Sequence, residues 1–60
     1  MEKIRLYIAG EEYIIATDDD LDYVGQLGQE LDKKISGIMS SNSRISVTQA
    51  AILASLEFAD

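Results

Sequence analysis

Of the side chains that perform chemistry, this sequence offers carboxylates and little else. Eleven Asp and Glu stand against five Lys and Arg in 60 residues, with no His and no Cys. Glu11 and Glu12 form the first pairing that could act as acid and base. General acid–base work needs such groups to converge on one bound substrate, whereas neighbours on a strand or turn point apart. Asp18-Asp19-Asp20-Leu21-Asp22 begins like a calcium loop but lacks its glycine and its distal bidentate glutamate. The plainer reading is a helix start, where carboxylates accept hydrogen bonds from free N–H groups and complement the positive end of the helix. Lys33, Lys34 and Arg44 are candidate contacts for an acidic partner, or else complement the negative end of the helix that precedes Arg44. No catalytic residue, cofactor or metal is expected, and the protein reads as not an enzyme.

Composition narrows the partners. A formal charge of −6 has the wrong sign for gripping phosphate backbones or an anionic membrane surface. No apolar run approaches the roughly 20 residues needed to cross a bilayer, and Met1-Glu2-Lys3-Ile4 alternates in polarity where a signal peptide is continuously apolar. No nucleic acid and no membrane are expected, and the chain reads as cytoplasmic. At 47% hydrophobic residues it should fold.

The carboxylates must be carried by a small set of elements. Ile4, Leu6 and Ile8 alternate with Lys3, Arg5 and Tyr7, and alternation returns from Glu12 to Thr17, so strands are expected at about 3–9 and 12–17. Gly10-Glu11 suits a two-residue type II′ turn, pairing Ile8 with Tyr13, Leu6 with Ile15 and Ile4 with Thr17. A hairpin alone is marginal in water and needs helices or another copy beside it. A first helix, about 20–39, has Leu21, Val24, Leu27, Gly28, Leu31, Ile35, Ile38 and Met39 in one stripe, with a Glu30–Lys34 pair on its surface. Gly25, Gly28 and Gly37 weaken that helix unless close packing requires them. After the polar Ser40-Ser41-Asn42-Ser43, the Ser46-Val47-Thr48-Gln49 capping box starts a second helix, about 47–60. The fold class is α+β, a hairpin followed by two helices (ββαα), in one domain spanning residues 1–60.

The second helix has two apolar sides. Val47, Ala51, Ala54 and Phe58 line one, and Ile52, Leu53, Leu56 and Ala59 line the other. A helix that is apolar nearly all round is buried, and a 60-residue chain has little material with which to cover both sides. A core of this size rarely supplies more than roughly 3–5 kcal/mol, and without disulfide or metal the remaining reinforcement is association. Ile52, Leu53, Leu56 and Ala59 are therefore the expected interface of a homodimer; the alternative is that the hairpin and first helix wrap the second helix within one chain. No glycine, proline or basic last turn stops this helix at Asp60, so it is expected to continue in a longer protein.

The order of these elements resembles the head of the ZapA cell-division family. The resemblance is carried by Ile4-Arg5-Leu6-Tyr7-Ile8-Ala9-Gly10-Glu11-Glu12-Tyr13-Ile14-Ile15, by Leu31-Asp32-Lys33-Lys34-Ile35, and most specifically by the run from Ser46 to Asp60 with its Ala51-Ile52-Leu53-Ala54-Ser55-Leu56 core. It implies a non-enzymatic, cytoplasmic bacterial protein, acting at the division site, that binds the tubulin-like protein FtsZ and cross-links its filaments. It also implies a second helix running on into a long coiled coil, with dimers that pair into tetramers in the full-length protein. Some family members carry basic residues at the hairpin turn, where this sequence has Glu11 and Glu12. The competing function is a dimeric DNA-binding regulator or antitoxin-like domain, for which only Lys3 and Arg5 supply the basic strand such a reader needs.

Overall fold

In the computed structural model, which describes residues 1–59, the chain first doubles back at Ala9-Gly10. Strand β1 (Glu2–Ile8) and strand β2 (Glu11–Thr17) are antiparallel, pairing Ile8 with Glu11, Leu6 with Tyr13 and Ile4 with Ile15. The turn therefore lies one residue earlier than Gly10-Glu11, and the expected pairs Ile8–Tyr13, Leu6–Ile15 and Ile4–Thr17 are displaced by two. Both loop residues have positive φ, +54° at Ala9 and +82° at Gly10, as a type I′ turn requires to match the twist of its strands. The left-handed conformation costs a non-glycine residue about 1–2 kcal/mol. A bond from far along the chain helps to offset it: the Ala9 N–H donates to Asp32 Oδ1 at 2.8 Å. A two-residue displacement preserves the faces. Ile4, Leu6 and Ile8 still share one side of the sheet with Tyr13 and Ile15.

Helix α1 (Leu21–Ser41) begins where the carboxylates were expected to cap it. Asp20 Oδ1 accepts from the N–H groups of Asp22 (2.8 Å) and Tyr23 (3.2 Å). The helix continues past residue 39 because its polar end bonds backward. Ser40 Oγ donates to the Ser36 carbonyl, Ser41 Oγ to that of Gly37 and Asn42 Nδ2 to that of Ile38, so side chains read as loop formers close the last turn. Helix α2 (Val47–Ala59) opens on a reciprocal box. The Ser46 N–H donates to Gln49 Oε1 at 3.0 Å, and the Gln49 N–H to Ser46 Oγ at 3.1 Å. Asp60, the expected last helical residue, lies outside the described residues.

Helix α1 packs against both β1 and α2, which places the core around Ile35, Ala50 and Ala54. Ile8, Leu31, Ile38 and Met39 surround this centre. Gly28 explains how closely the hairpin approaches: a Cβ there would stand 2.8 Å from Leu6 Cδ2, while at Gly25 it would meet Ile4 Cδ1 at 3.6 Å. Gly37 has nothing within 4 Å of such an atom and so has no packing reason to be glycine. Lys34 does not take Glu30 as its partner. Its Nζ reaches Glu57 Oε1 at 3.0 Å and joins the two helices.

Candidate interaction surfaces

The inward side of α2 is made of its smallest residues. Ala50 and Ala54 are fully buried against α1, with Ala51 partly so. The sequence pointed instead to Val47, Ala51, Ala54 and Phe58 as the inward stripe. Alanines one turn apart let the helices approach closely, and this rotates Val47 and Phe58 outward to the margin of the contact, where both stay substantially exposed. The opposite side of α2 is uncovered within the chain. Ile52 is 56% exposed, Leu53 43% and Leu56 62%, and Ala59 is exposed beside them. The hairpin and α1 thus do not wrap the second helix.

A cleft of about 260 Å³, missed by the sequence reading, opens between the sheet and α2. Tyr13 and Ile15 form one wall, Val47 and Ala51 the other, over a floor that includes Leu31 and Ile35. A second hollow, of about 340 Å³, lies between Leu27 and Leu31 of α1 and Phe58 of α2. The alternation of β2 put Tyr13 and Ile15 on the apolar face, but no sequence feature indicated that the face would be roofed by α1 under β1 and left open under β2.

The charged groups are dispersed. Glu12 lies on the outer face of the hairpin, where Arg5 Nε approaches Oε1 at 3.3 Å and the Tyr7 hydroxyl donates to Oε2 at 3.2 Å. Glu11 belongs to the other face of β2, so the two carboxylates do not converge. Of the aspartates, Asp20 caps α1 and Asp32 holds the hairpin turn. Among the described residues no group of three or more His, Cys, Asp or Glu is placed to hold a metal ion. Lys33 is exposed on α1 and Lys34 is engaged with Glu57 near the end of α2. Arg44 is exposed in the loop before α2, in a shallow depression that also includes Gln49 and Leu53. Glu57 and the start of α2 are separated by roughly 15 Å at the usual helical rise, so Lys34 and Arg44 occupy opposite ends of that helix.

The sequence model described as cell division protein ZapA matches residues 4–60, nearly the whole chain. The chain belongs to the ZapA family. Membership makes it a cell-division protein of a non-enzymatic family and gives its uncovered apolar surfaces a natural reading as protein contacts. No curated protein and no solved structure matches the chain. No helix among the described residues is long and apolar enough to cross a membrane. Ile52, Leu53 and Leu56 form an exposed apolar ridge on one side of α2, and Arg44 lines a shallow depression together with Leu53.

Proposed function

We propose that this chain is the filament-binding head of a ZapA-type adaptor, which associates with itself and so cross-links FtsZ filaments at the cytoplasmic division site. The observation that carries the reading is the exposed ridge of Ile52, Leu53 and Leu56 on a helix whose other side is already packed. Burying a Leu or Ile side chain fully contributes about 1.5–3 kcal/mol relative to leaving it exposed. Two copies meeting through this ridge, with Ala59 at its end, would remove several such side chains from water on each chain.

Dimerisation gives one particle two binding heads. Linked heads convert the second filament contact into an intramolecular event, and cross-linking follows without any tighter individual contact. In the full-length protein α2 would continue into a coiled coil that spaces the heads and pairs dimers into tetramers. Lys33, Lys34 and Arg44 are the basic residues assigned to the filament. Lys33 and Arg44 present exposed charge, while Lys34 would have to leave Glu57 to take part.

Co-sedimentation with FtsZ polymer tests the reading. The chain should pellet with polymer and not with monomeric FtsZ, and a Lys33→Glu, Arg44→Glu double variant should pellet less. Shift of a DNA fragment without polymer binding would favour the regulator reading and overturn this one.

A further inference from the structure

We propose that a second copy of this chain adds its β2 strand, antiparallel, to the free edge of β2, joining the two hairpins into one continuous sheet. The inference extends the proposed self-association but uses residues outside the α2 ridge, so each can fail without the other.

The two-residue loop fixes which backbone groups are free. Ile8 and Glu11 close the turn, so hydrogen-bonded pairs recur at Leu6–Tyr13 and Ile4–Ile15. The N–H and C=O groups of Glu12, Ile14 and Ala16 therefore face away from β1. Natural sheets guard such an edge with proline, lysine, a bulge or a covering element. Strand β2 has no proline and no basic residue, its register is unbroken, and its residues from Glu11 to Ala16 are exposed. The edge of β1 differs, because Lys3 and Arg5 lie along it.

Symmetry and charge then select one register. A two-fold axis at Ile14, the middle of β2, sets Ile14 against Ile14 of the second copy, where both backbone bonds are exchanged. Glu12 falls opposite Ala16, and Glu11 opposite Thr17, so no acidic residue faces another. Moving the axis two residues earlier would oppose Glu12 to itself; moving it two later would set Ile14 against Asp18, beyond the strand. The equivalent pairing of β1 would place Arg5 against Arg5. Like charges directly opposite are unfavourable. An axis at Tyr13 would pair only Glu11 to Ile15, and one at Ile15 only Tyr13 to Thr17 with Glu12 against Asp18, so the Ile14 axis alone pairs the whole of β2 without opposing acidic residues.

This register also acts on the open cleft. Tyr13 comes opposite Ile15 of the second copy, and Ile15 opposite its Tyr13, on the cleft side of the sheet. Both are 41% exposed in the single chain. Aromatic and β-branched residues facing across strands are favourable pairs, and the added strand prolongs the apolar face past β2.

Amide hydrogen exchange across a concentration series, with isotope-filtered NMR on mixed labelled and unlabelled chains, tests the proposal. Protection of the Glu12, Ile14 and Ala16 amides should rise with concentration, and an inter-chain contact should appear between the Hα protons of Tyr13 and Ile15. Ile14 is 58% exposed and lies across from Arg5, so Ile14→Glu should preserve the hairpin while opposing two carboxylates at the axis. It should raise the self-dissociation constant by about two- to thirtyfold and reduce the protection at matched concentration. Self-association with these three amides exchanging freely would overturn the edge pairing and leave the α2 ridge standing. A chain that stays monomeric throughout would overturn both.

Discussion

Replacing Asp32 with alanine should loosen the hairpin from α1, and the structure sets the size of the effect. Asp32 Oδ1 accepts the Ala9 N–H at 2.8 Å in a partly buried site, where it helps to offset the cost of φ +54° at Ala9. A hydrogen bond to a charged group contributes about 1.5–3 kcal/mol. Partial burial places this one toward the lower end. Alanine regains roughly 0.5 kcal/mol of helix propensity at position 32, leaving a net loss of about 1–1.5 kcal/mol. Asp32→Asn keeps the acceptor oxygen and should lose about half as much. Urea denaturation at one fixed protein concentration measures both, a precaution that the proposed self-association makes necessary. The loss from Asp32→Ala should come with faster exchange of the Ala9 amide. If Asp32→Ala matches the parent chain, or if asparagine is no better than alanine, the tether does not stabilise the turn.

The glycines of α1 separate propensity from packing. Gly37→Ala meets no atom and should stabilise by about 1 kcal/mol, whereas Gly28→Ala must displace Leu6 and should gain nothing or lose up to about 2 kcal/mol; thermal melts of the two variants distinguish these outcomes. Ser46→Ala removes the acceptor for the Gln49 N–H and should cost about 1 kcal/mol in the same assay. Glu57→Gln breaks the link to Lys34, but both side chains are more than a third exposed. A double-mutant cycle should therefore find less than about 1 kcal/mol between them.

What could be read from the sequence was local. The capping box at Ser46 and Gln49, the N-cap at Asp20 and the two alternating strands each rest on interactions within a few residues. The turn position did not, because the bond that favours Ala9-Gly10 comes from Asp32, 23 residues away. Lys34 likewise found a partner on another helix in place of its neighbour Glu30. The inward face of α2 was misjudged by hydrophobic size. Close helix packing selected Ala50 and Ala54, and the larger Val47 and Phe58 were left at the margin. The outer ridge was legible because two apolar sides on one helix exceed what so short a chain can cover. The cleft was not, since it depends on how β2 and α2 are disposed over α1.

The ridge of Ile52, Leu53 and Leu56 is proposed to join two copies and thereby to give filament cross-linking. Analytical ultracentrifugation of the parent chain and Leu56→Glu, paired with light scattering from FtsZ polymers, tests it most directly. Leu56 is 62% exposed in the single chain, so the charge should not disturb the fold. The parent chain should sediment as a dimer at high micromolar concentration and bundle filaments, while Leu56→Glu should stay folded, dimerise much more weakly and bind polymer with little bundling. A parent chain that stays monomeric, or a Leu56→Glu variant that dimerises and bundles as strongly as the parent, would rule out the ridge as the joining surface.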